Sequence, residues 1–577
     1  MPAGLLAWKI FTHGVNVPYM DQWRIADVVT KAFEGRLSLW DLTAQQNESR
    51  LFFPCLFFIG LASLTGYDVR YEMWATFGLA CLMTYNVYRL GRRTLDSSRT
   101  HESFLLFLAC LLIFSLVQWE NWFWGIQFIV LVPVTCILLI VSLAYSSLSI
   151  RTKFVISAAL ATISTFSYAN GILCWIVVFP VLLMQTWNSI KENRGWIALW
   201  VSGFAVNFAL YFYNYVKPPY HPSFTEGLQT PLTTLSYFLV FLGMPLSGGT
   251  VLDRRYQAAI VGGVLCILFV VACGLTWRHR HATNIGYRTA GWLTLGSYTF
   301  ISAAVTTLGR IGLGFDTALS SRYGAFSLPL LVALVYLVPI YLSVQERELQ
   351  QQHATWKVRS GATLGTLLIL LHLFSTAHAQ MTVNAAWRHR VQGKALLLFI
   401  DVLPRKWLEK GSFPDLRALT RYAQGLDRHG LLSPRLRKTL TIERSTTQQA
   451  SQRGIFGWFD ELHQTEPGIY LAKGWATLPY RREIAHGIAL AYEEADRSWT
   501  IFDLIEIRTV RLDVVAALQE DRYTYAGWEH SFRLPPTDQP HLTITAWAID
   551  ANSGDLFQLP KTYRVDTQTG EIHVEEG

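Results

Sequence analysis

"QWENWFWGIQFIVLVPVTCILLIVSLAYS" (residues 118–146) joins two kinds of sequence that water-soluble domains keep apart. From Trp122 onward it is an apolar run of the length a helix needs to cross a bilayer, about 20 residues. Its leading part sets Gln118, Glu120, Asn121 and Gln127 among Trp119, Trp122 and Trp124, at the point where such a helix would leave the hydrocarbon. The fold follows from asking how often this unit recurs.

It recurs along most of the chain. Apolar stretches that span or nearly span lie at 72–90, 103–118, 122–146, 154–168, 170–187, 195–213, 257–276, 289–308, 323–343 and 361–379, with shorter ones at 51–66 and 232–246. With the N-terminal segment this predicts about eleven crossings. The composition agrees: 577 residues, 51% hydrophobic, 14% aromatic and 16% charged, where a soluble chain carries about 25% charge. The start, "MPAGLLAWKIFTHGVNV", has no basic n-region and is interrupted by Lys9 and His13, so it reads as a short tilted helix or as an internal start, and not as a cleavable signal peptide.

Orientation follows from Lys and Arg in the short loops. "RLGRRTLDSSR" (89–99), "RTK" (151–153), "KENR" (191–194) and "RHRHATNIGYR" (278–288) are the basic ones and are assigned to the cytoplasm. This works when 51–66 and 232–246 do not cross. The first is short and carries Pro54, an interfacial pattern, and the second runs into "GMPLSGG", a re-entrant one. The net charge of +8 comes from Lys and Arg scattered between apolar spans, which suits loops beside a membrane and argues against a nucleic-acid surface. All seven cysteines lie in apolar stretches and none follows residue 273, so the polar tail has no disulfide framework.

From about residue 381 the charges return. The expected organisation is a membrane domain (1–380), an amphipathic helical linker (381–465) and a C-terminal β-sandwich-like domain (466–577). "LPRKWLEKGSFPDLRALTRYAQGLDRHGLLSP" reads as short amphipathic helices ending at Gly430 and Pro434, and "TIERSTTQQASQRG" (441–454) as a polar linker. "TIFDLIEIRTV" and "HLTITAWAID" alternate with period two, and "ANSGD" (551–555) is a hairpin turn. Trp475, Trp528 and Trp547 in this tail are candidate stacking surfaces for sugar, and the two that follow glycine, Trp475 and Trp528, read as core. By the crossing count this domain is extracytoplasmic.

With loops assigned this way, the polar clusters beside apolar spans fall on the extracytoplasmic side: Asp21 in "VPYMDQW"; Glu48 and Arg50 in "QNESR"; Glu120, Asn121 and Gln127; Tyr168 and Asn170 in "SYANG"; and Arg310, Asp316, Arg322 and Tyr323 in "GRIGLGFDTALSSRYG". Singly, each is an ordinary interfacial residue, and the tryptophans an interfacial belt. As a set they offer acids opposite guanidiniums. An acid can take a proton from an attacking hydroxyl or hold a divalent cation, and the planar fork of Arg suits phosphate. No His-x-x-x-His, Cys-x-x-Cys, Walker A or Gly-x-Gly-x-x-Gly after a strand is present, so zinc, nucleotide hydrolysis and dinucleotide binding have no support.

Taken together, the early loop aspartate, the short segment before the second span, the many crossings and the soluble tail resemble the GT-C superfamily of integral-membrane glycosyltransferases. Over roughly residues 15–380 the chain is similar to a group of bacterial membrane proteins sharing "NE-x-R", "WEN-W", "S-Y-A-N-G" and "RY", here Asn47–Arg50, Trp119–Trp122, Ser167–Gly171 and Arg322–Tyr323. The resemblance implies a bacterial cytoplasmic-membrane enzyme that moves a sugar from a polyprenyl-phosphate carrier to a glycan or lipid acceptor. It implies Asp21 as base or ligand of Mg²⁺ or Mn²⁺, with Arg322 on the carrier phosphate. The paired acid common in such enzymes is missing beside Asp21, whose neighbours are Met20 and Gln22, and one carboxylate rarely holds Mg²⁺ without substrate phosphates. Beside this set, Glu48 is a second acid, Arg50 orients a carboxylate, Arg310 joins Arg322, and Glu120, Asn121, Gln127, Tyr168, Asn170 and Tyr323 bind substrate. The competing class is a transporter or polysaccharide polymerase or export component. A transporter should carry charges at mid-span and an internal repeat, and neither is visible here.

Overall fold

In the computed structural model, residues 2–95, 99–184, 190–219, 227, 229–280, 284–348, 354–402, 415–442 and 454–575 are described. In their described residues, the apolar stretches named above are largely helical. Six helices among the described residues are both long and apolar enough to cross a membrane: His101–Phe123, Gly125–Ala144, Lys191–Phe212, Arg254–Arg278, Ser321–Ser343 and Gly365–Leu397. The other expected crossings are helical but shorter or more polar. Arg70–Thr94 carries Arg70, Glu72, Arg89, Arg92 and Arg93. Ile285–Arg310 is rich in Ser, Thr and Gly; Thr289 and Thr294 donate back to the carbonyls of Ile285 and Ala290 at 2.8 and 2.9 Å, which satisfies them without water. Phe52–Thr65 has 14 residues, about 21 Å of helix at 1.5 Å per residue against a hydrocarbon core of about 30 Å.

The chain forms two compact units, residues 1–14, 34–63 and 69–384 in the first, and 15–33, 64–68 and 385–577 in the second. Within the first, burial separates two kinds of apolar helix. Phe128–Ala144, the run quoted first, is buried on nearly every side. Lys191–Phe212, Arg254–Arg278 and Gly365–Leu397 instead leave most of their surface open, presenting Leu210, Ile260, Ile267, Val270 and Leu367 outward. Apolar faces of that extent are a liability in water and the normal condition in lipid. Close helix approach uses small residues. A Cβ on Gly262 would sit 1.8 Å from the Leu239 carbonyl oxygen, so only glycine lets Pro231–Gly243 and Arg254–Arg278 meet there. Elsewhere in the unit, Trp292 stacks on Tyr336 with centroids 4.1 Å apart and donates to Thr94 at 3.0 Å.

In the second unit, Gln22–Phe33 packs on Leu416–Arg428, whose 3.6-residue periodicity sets apolar Ala423 and Leu426 on one face. The amphipathic segment was expected over 381–465, and its first part, to Leu397, continues the helix Ala354–Leu397. Residues 403–414 of it, and 443–453 of the polar linker, lie outside the described residues. Two antiparallel sheets follow. In one, strands run in the order Ile572–Glu575, Thr562–Asp566, His541–Ile549, Ile488–Glu493, Trp499–Ile505 and Thr441–Ile442, with Leu556–Gln558 also on His541–Ile549. In the other, Ile469–Leu478 pairs with Gly457–Glu466, Glu483–Ile484 and Gly527–Phe532. Inward residues of both sheets, among them Phe459, Ala472, Leu490, Trp528, Ile544 and Val565, share one core. Trp528 and Trp547 are fully buried, which leaves them no face for a sugar, and Trp475, partly buried, packs against the same core as Trp528. The strand Gly457–Glu466 lies ahead of the expected start at 466, because its polar alternation "GWFDELHQTE" carries only three inward residues. The 551–555 turn is as read: the Asp550 amide donates to the Asp555 carbonyl at 3.0 Å, the Gly554 amide donates to the Asp550 carbonyl at 2.8 Å, and Gly554 adopts φ +82.

Candidate functional site

The site in the first unit starts from a two-residue hairpin. Gln45–Gln46 pairs with Ser49–Arg50, with Gln46 opposite Ser49, so Asn47 and Glu48 form the tip. Asn47 takes φ +51, a left-handed conformation that Asn tolerates better than most residues. The hairpin is clamped to the segment after Ile190–Phe212. Gln45 donates to the Val216 carbonyl at 2.6 Å and accepts from the Val216 amide at 3.0 Å, and the Tyr211 hydroxyl donates to the Glu48 carbonyl at 2.6 Å.

Arg50 completes the clamp. Its guanidinium donates to the carbonyls of Thr43 and Tyr211, each at 2.7 Å, and to that of Tyr213. The sequence reading had Arg50 orienting a carboxylate. Its donors go to main-chain oxygens instead, which makes it a positioning residue for the loop that carries Glu48.

Glu48 itself forms an ion pair with Arg310, the last residue of Ile285–Arg310. The neighbouring Ser49 hydroxyl accepts from the Ala169 amide at 3.1 Å, tying the hairpin to "SYANG". There the chain doubles back so tightly that a Cβ on Gly171 would lie 1.8 Å from the Ser164 carbonyl oxygen. Tyr168 emerges from this bend and stacks on Phe326, centroids 5.6 Å apart.

A second knot joins "WENW" to "SRY". The Glu120 carboxylate accepts from the Ser321 hydroxyl at 2.7 Å and the Arg322 amide at 3.1 Å, and faces the Arg322 guanidinium at 3.6 Å. Asn121 donates to the Arg322 carbonyl at 3.1 Å and to Gln118 at 3.0 Å. The two knots are electrostatic neighbours. Tyr168 interacts with Glu48, Tyr323, Arg310 and Arg322, and Arg310 and Arg322 repel each other. The four motifs, scattered from residue 47 to 323, therefore meet in one place, with two guanidiniums, two carboxylates and the phenols of Tyr168 and Tyr323. Sequence reasoning missed Ser321, which was visible only as part of "SSRY". It also missed Tyr211, Tyr215 and Tyr237, which sit in electrostatic reach of this set and carried no signal beyond aromatic content.

The remaining residues fall elsewhere or lack a contact with the set. Asn170 is buried in the bend beside Tyr168. Gln127 is buried with its Oε1 unpartnered. Asp316 pairs with Arg255 at 2.6 Å, both exposed. Asp21 belongs to the second unit, in the turn before Gln22–Phe33 where Met20 has φ +48. A divalent cation does not fit that set. Both carboxylates already face a guanidinium, and among the described residues no three His, Cys, Asp or Glu side chains gather.

No protein-family profile and no curated protein matches the chain. Among solved structures it is similar to ArnT from Cupriavidus metallidurans. The crystal structure of ArnT bound to undecaprenyl phosphate aligns at 16% identity and a TM-score of 0.35, over 74% of this chain and 75% of that one. The apo structure aligns at 16% identity and a TM-score of 0.28, over 58% and 76%. Likeness at that level assigns neither family nor substrate, and the reading of the site rests on its own geometry.

Proposed function

We propose that the chain is a membrane glycosyltransferase that moves a sugar from a polyprenyl-phosphate-linked donor to a glycan or lipid acceptor outside a bacterial cytoplasmic membrane, with the β-rich tail on the same outer side. The observation that supports this reading is the pairing of Arg310 with Glu48 and of Arg322 with Glu120 in one polar site bordered by apolar helices. Glycosyl transfer from a phosphate carrier needs little more. The acceptor oxygen bonds to the anomeric carbon, the bond from that carbon to the phosphate oxygen breaks, and the leaving polyprenyl phosphate takes both electrons. Two guanidiniums stabilise that charge as it develops. The acceptor proton goes to a carboxylate, for which Glu48, released from Arg310 as phosphate arrives, and Asp21 are the candidates. No step is routed through a metal.

The charges of this set stand at helix ends and turns: Arg310 closes its helix, Arg322 lies in the turn before Gly324–Glu348, and Glu48 tips a hairpin. A permeation path would place them along the spans, which is why the enzyme reading is preferred to transport or export. The test is retention of a polyprenyl phosphate against the matching polyprenol by the detergent-solubilised protein, read by native mass spectrometry. The phosphate should be retained preferentially, and Arg310→Gln and Arg322→Gln should each weaken retention by about tenfold or more, the worth of a charged hydrogen bond. Equal retention of the two lipids ends the proposal. Asp21→Asn and Glu48→Gln, scored for envelope glycan at equal expression, then decide which acid is the base.

A further inference from the structure

Beside the Glu120–Ser321 hydrogen bond lies a second space. It is a cavity of about 280 Å³ lined in part by Glu120, Ser247, Arg254, Ser375, His378 and Thr382, all in the first unit. Ser247 of "GMPLSGG" forms part of its wall. Gln257 accepts from the Gly248 amide at 3.1 Å and the Thr250 hydroxyl at 2.8 Å and donates to the Leu246 carbonyl at 3.1 Å. That staple seats Gly248 so close to the ring of His378 that a Cβ would lie 3.2 Å from it.

The hydrogen-bond ledger of this cavity is incomplete in a patterned way. Arg254 has no carboxylate partner among the described residues, and its Nε is buried without an acceptor. Ser375 is 1% exposed and its hydroxyl has no partner. Leaving such donors unsatisfied costs about 1–3 kcal/mol each, more for a charge. Glu120, the carboxylate on the wall, is already neutralised by Arg322 and Ser321, so the cavity carries the uncompensated charge of Arg254. Other wall hydroxyls have spent their protons within the chain: Ser247 donates to the Met244 carbonyl at 2.8 Å and Thr382 to that of His378 at 3.3 Å. They offer only lone pairs, which accept from hydroxyl groups.

We propose that this cavity binds a sugar-sized polyol carrying a phosphate or carboxylate, with the anion on Arg254 and Ser375 and the hydroxyls against Ser247 and Thr382. The volume fits: at about 30 Å³ per water the space holds roughly nine, far more than one inorganic anion fills. The proposal does not depend on the glycosyl-transfer reading, because its residues differ from Arg310 and Arg322.

The experiment is calorimetric titration of the full-length protein in detergent with glucose 6-phosphate, glucuronate, glucose and inorganic phosphate. Binding of glucose 6-phosphate, glucuronate or both is expected, and which one identifies the anion. Glucose and inorganic phosphate should bind at least tenfold more weakly. Arg254→Gln should weaken the charged sugar by at least tenfold and Ser375→Ala by about threefold, with Arg310→Gln within twofold of wild type. Ser375→Ala removes only an unpartnered buried hydroxyl, so it keeps the test open should Arg254→Gln not fold. The proposal is overturned if neither charged sugar binds, if inorganic phosphate binds as well as either, or if Arg254→Gln and Ser375→Ala leave the affinity unchanged.

Discussion

Replacing Glu120 with Gln tests whether the carboxylate anchors the loop that presents Arg322. The wild-type acid accepts two hydrogen bonds, from Ser321 Oγ at 2.7 Å and the Arg322 amide at 3.1 Å, and faces the guanidinium at 3.6 Å. Gln keeps one oxygen, so both bonds can persist, but each falls from a charge-assisted value of about 1.5–3 kcal/mol to a neutral one of about 0.5–1.5. That loses about 2 kcal/mol in all. The ion pair is partly open to solvent, with side chains 30% and 18% exposed, and adds no more than about 1 kcal/mol. The sum, about 2–3 kcal/mol, should lower the melting temperature of a unit this large by about 3–5 °C, scaling down from about 2–4 °C per kcal/mol in smaller domains. Buried Cys55, Cys136 and Cys174 supply the assay: a thiol-reactive fluorophore labels exposed Cys81 and Cys273 at once and the buried three only on unfolding. Glu120→Ala, which removes both acceptors, should fall further. If Glu120→Gln and Glu120→Ala both melt with the wild type, the carboxylate does not hold the loop and the argument for a built Arg322 site fails with it.

Three further outcomes follow from geometry already given. Gly171→Ala puts a methyl 1.8 Å from a main-chain oxygen that cannot swing away, and should cost about 3 kcal/mol or more, seen as loss of the monodisperse peak in fluorescence-detected size exclusion; Gly60→Ala, which meets nothing within 4 Å, should keep it. In the β-rich unit, burial works against the charge of Asp550, yet His486, the Tyr480 hydroxyl at 2.5 Å and Arg481 at 2.6 Å hold its carboxyl well below the usual range. A depressed folded value stabilises at every pH above the unfolded value of about 3.9 and is lost as pH falls through the folded one, so melting should decline below about pH 4, whereas Asp550→Asn should melt lower at neutral pH and respond less to acid. Gln257→Ala frees the three bonds that hold residues 246–250 and should speed hydrogen exchange at Gly248 without moving the melting curve of the second unit.

Much of the fold was legible because lipid demands long apolar runs and water demands alternation. The described residues of the stretches marked apolar in the sequence are largely helix, and the period-two tail became two sheets. Ile285–Arg310 was read as a crossing although it carries seven Ser and Thr, two of which, Thr289 and Thr294, donate back to its own carbonyls. The candidate site was legible as motifs, since "NESR", "WENW", "SYANG" and "RY" do meet, but their pairing was not. Which acid faces which arginine depends on contacts some two hundred residues apart, and no local pattern encodes that Glu48 takes Arg310 and Glu120 takes Arg322. Arg50 shows the opposite error, a charge beside an acid that local reasoning assigns to chemistry and the folded chain spends on its own carbonyls.

That clamp has a consequence for genetics. Three carbonyl acceptors from two distant segments match the five-donor planar fork of Arg50 and not the single ammonium of Lys. A saturation screen for lost function would therefore score position 50 as intolerant even of Lys, alongside positions 48 and 310, and so add to the apparent site a residue whose guanidinium is turned onto main-chain carbonyls. Temperature separates the classes: an Arg50→Lys strain should recover in the cold, where a loosened loop still closes part of the time, and strains lacking the acid or its partner arginine should not.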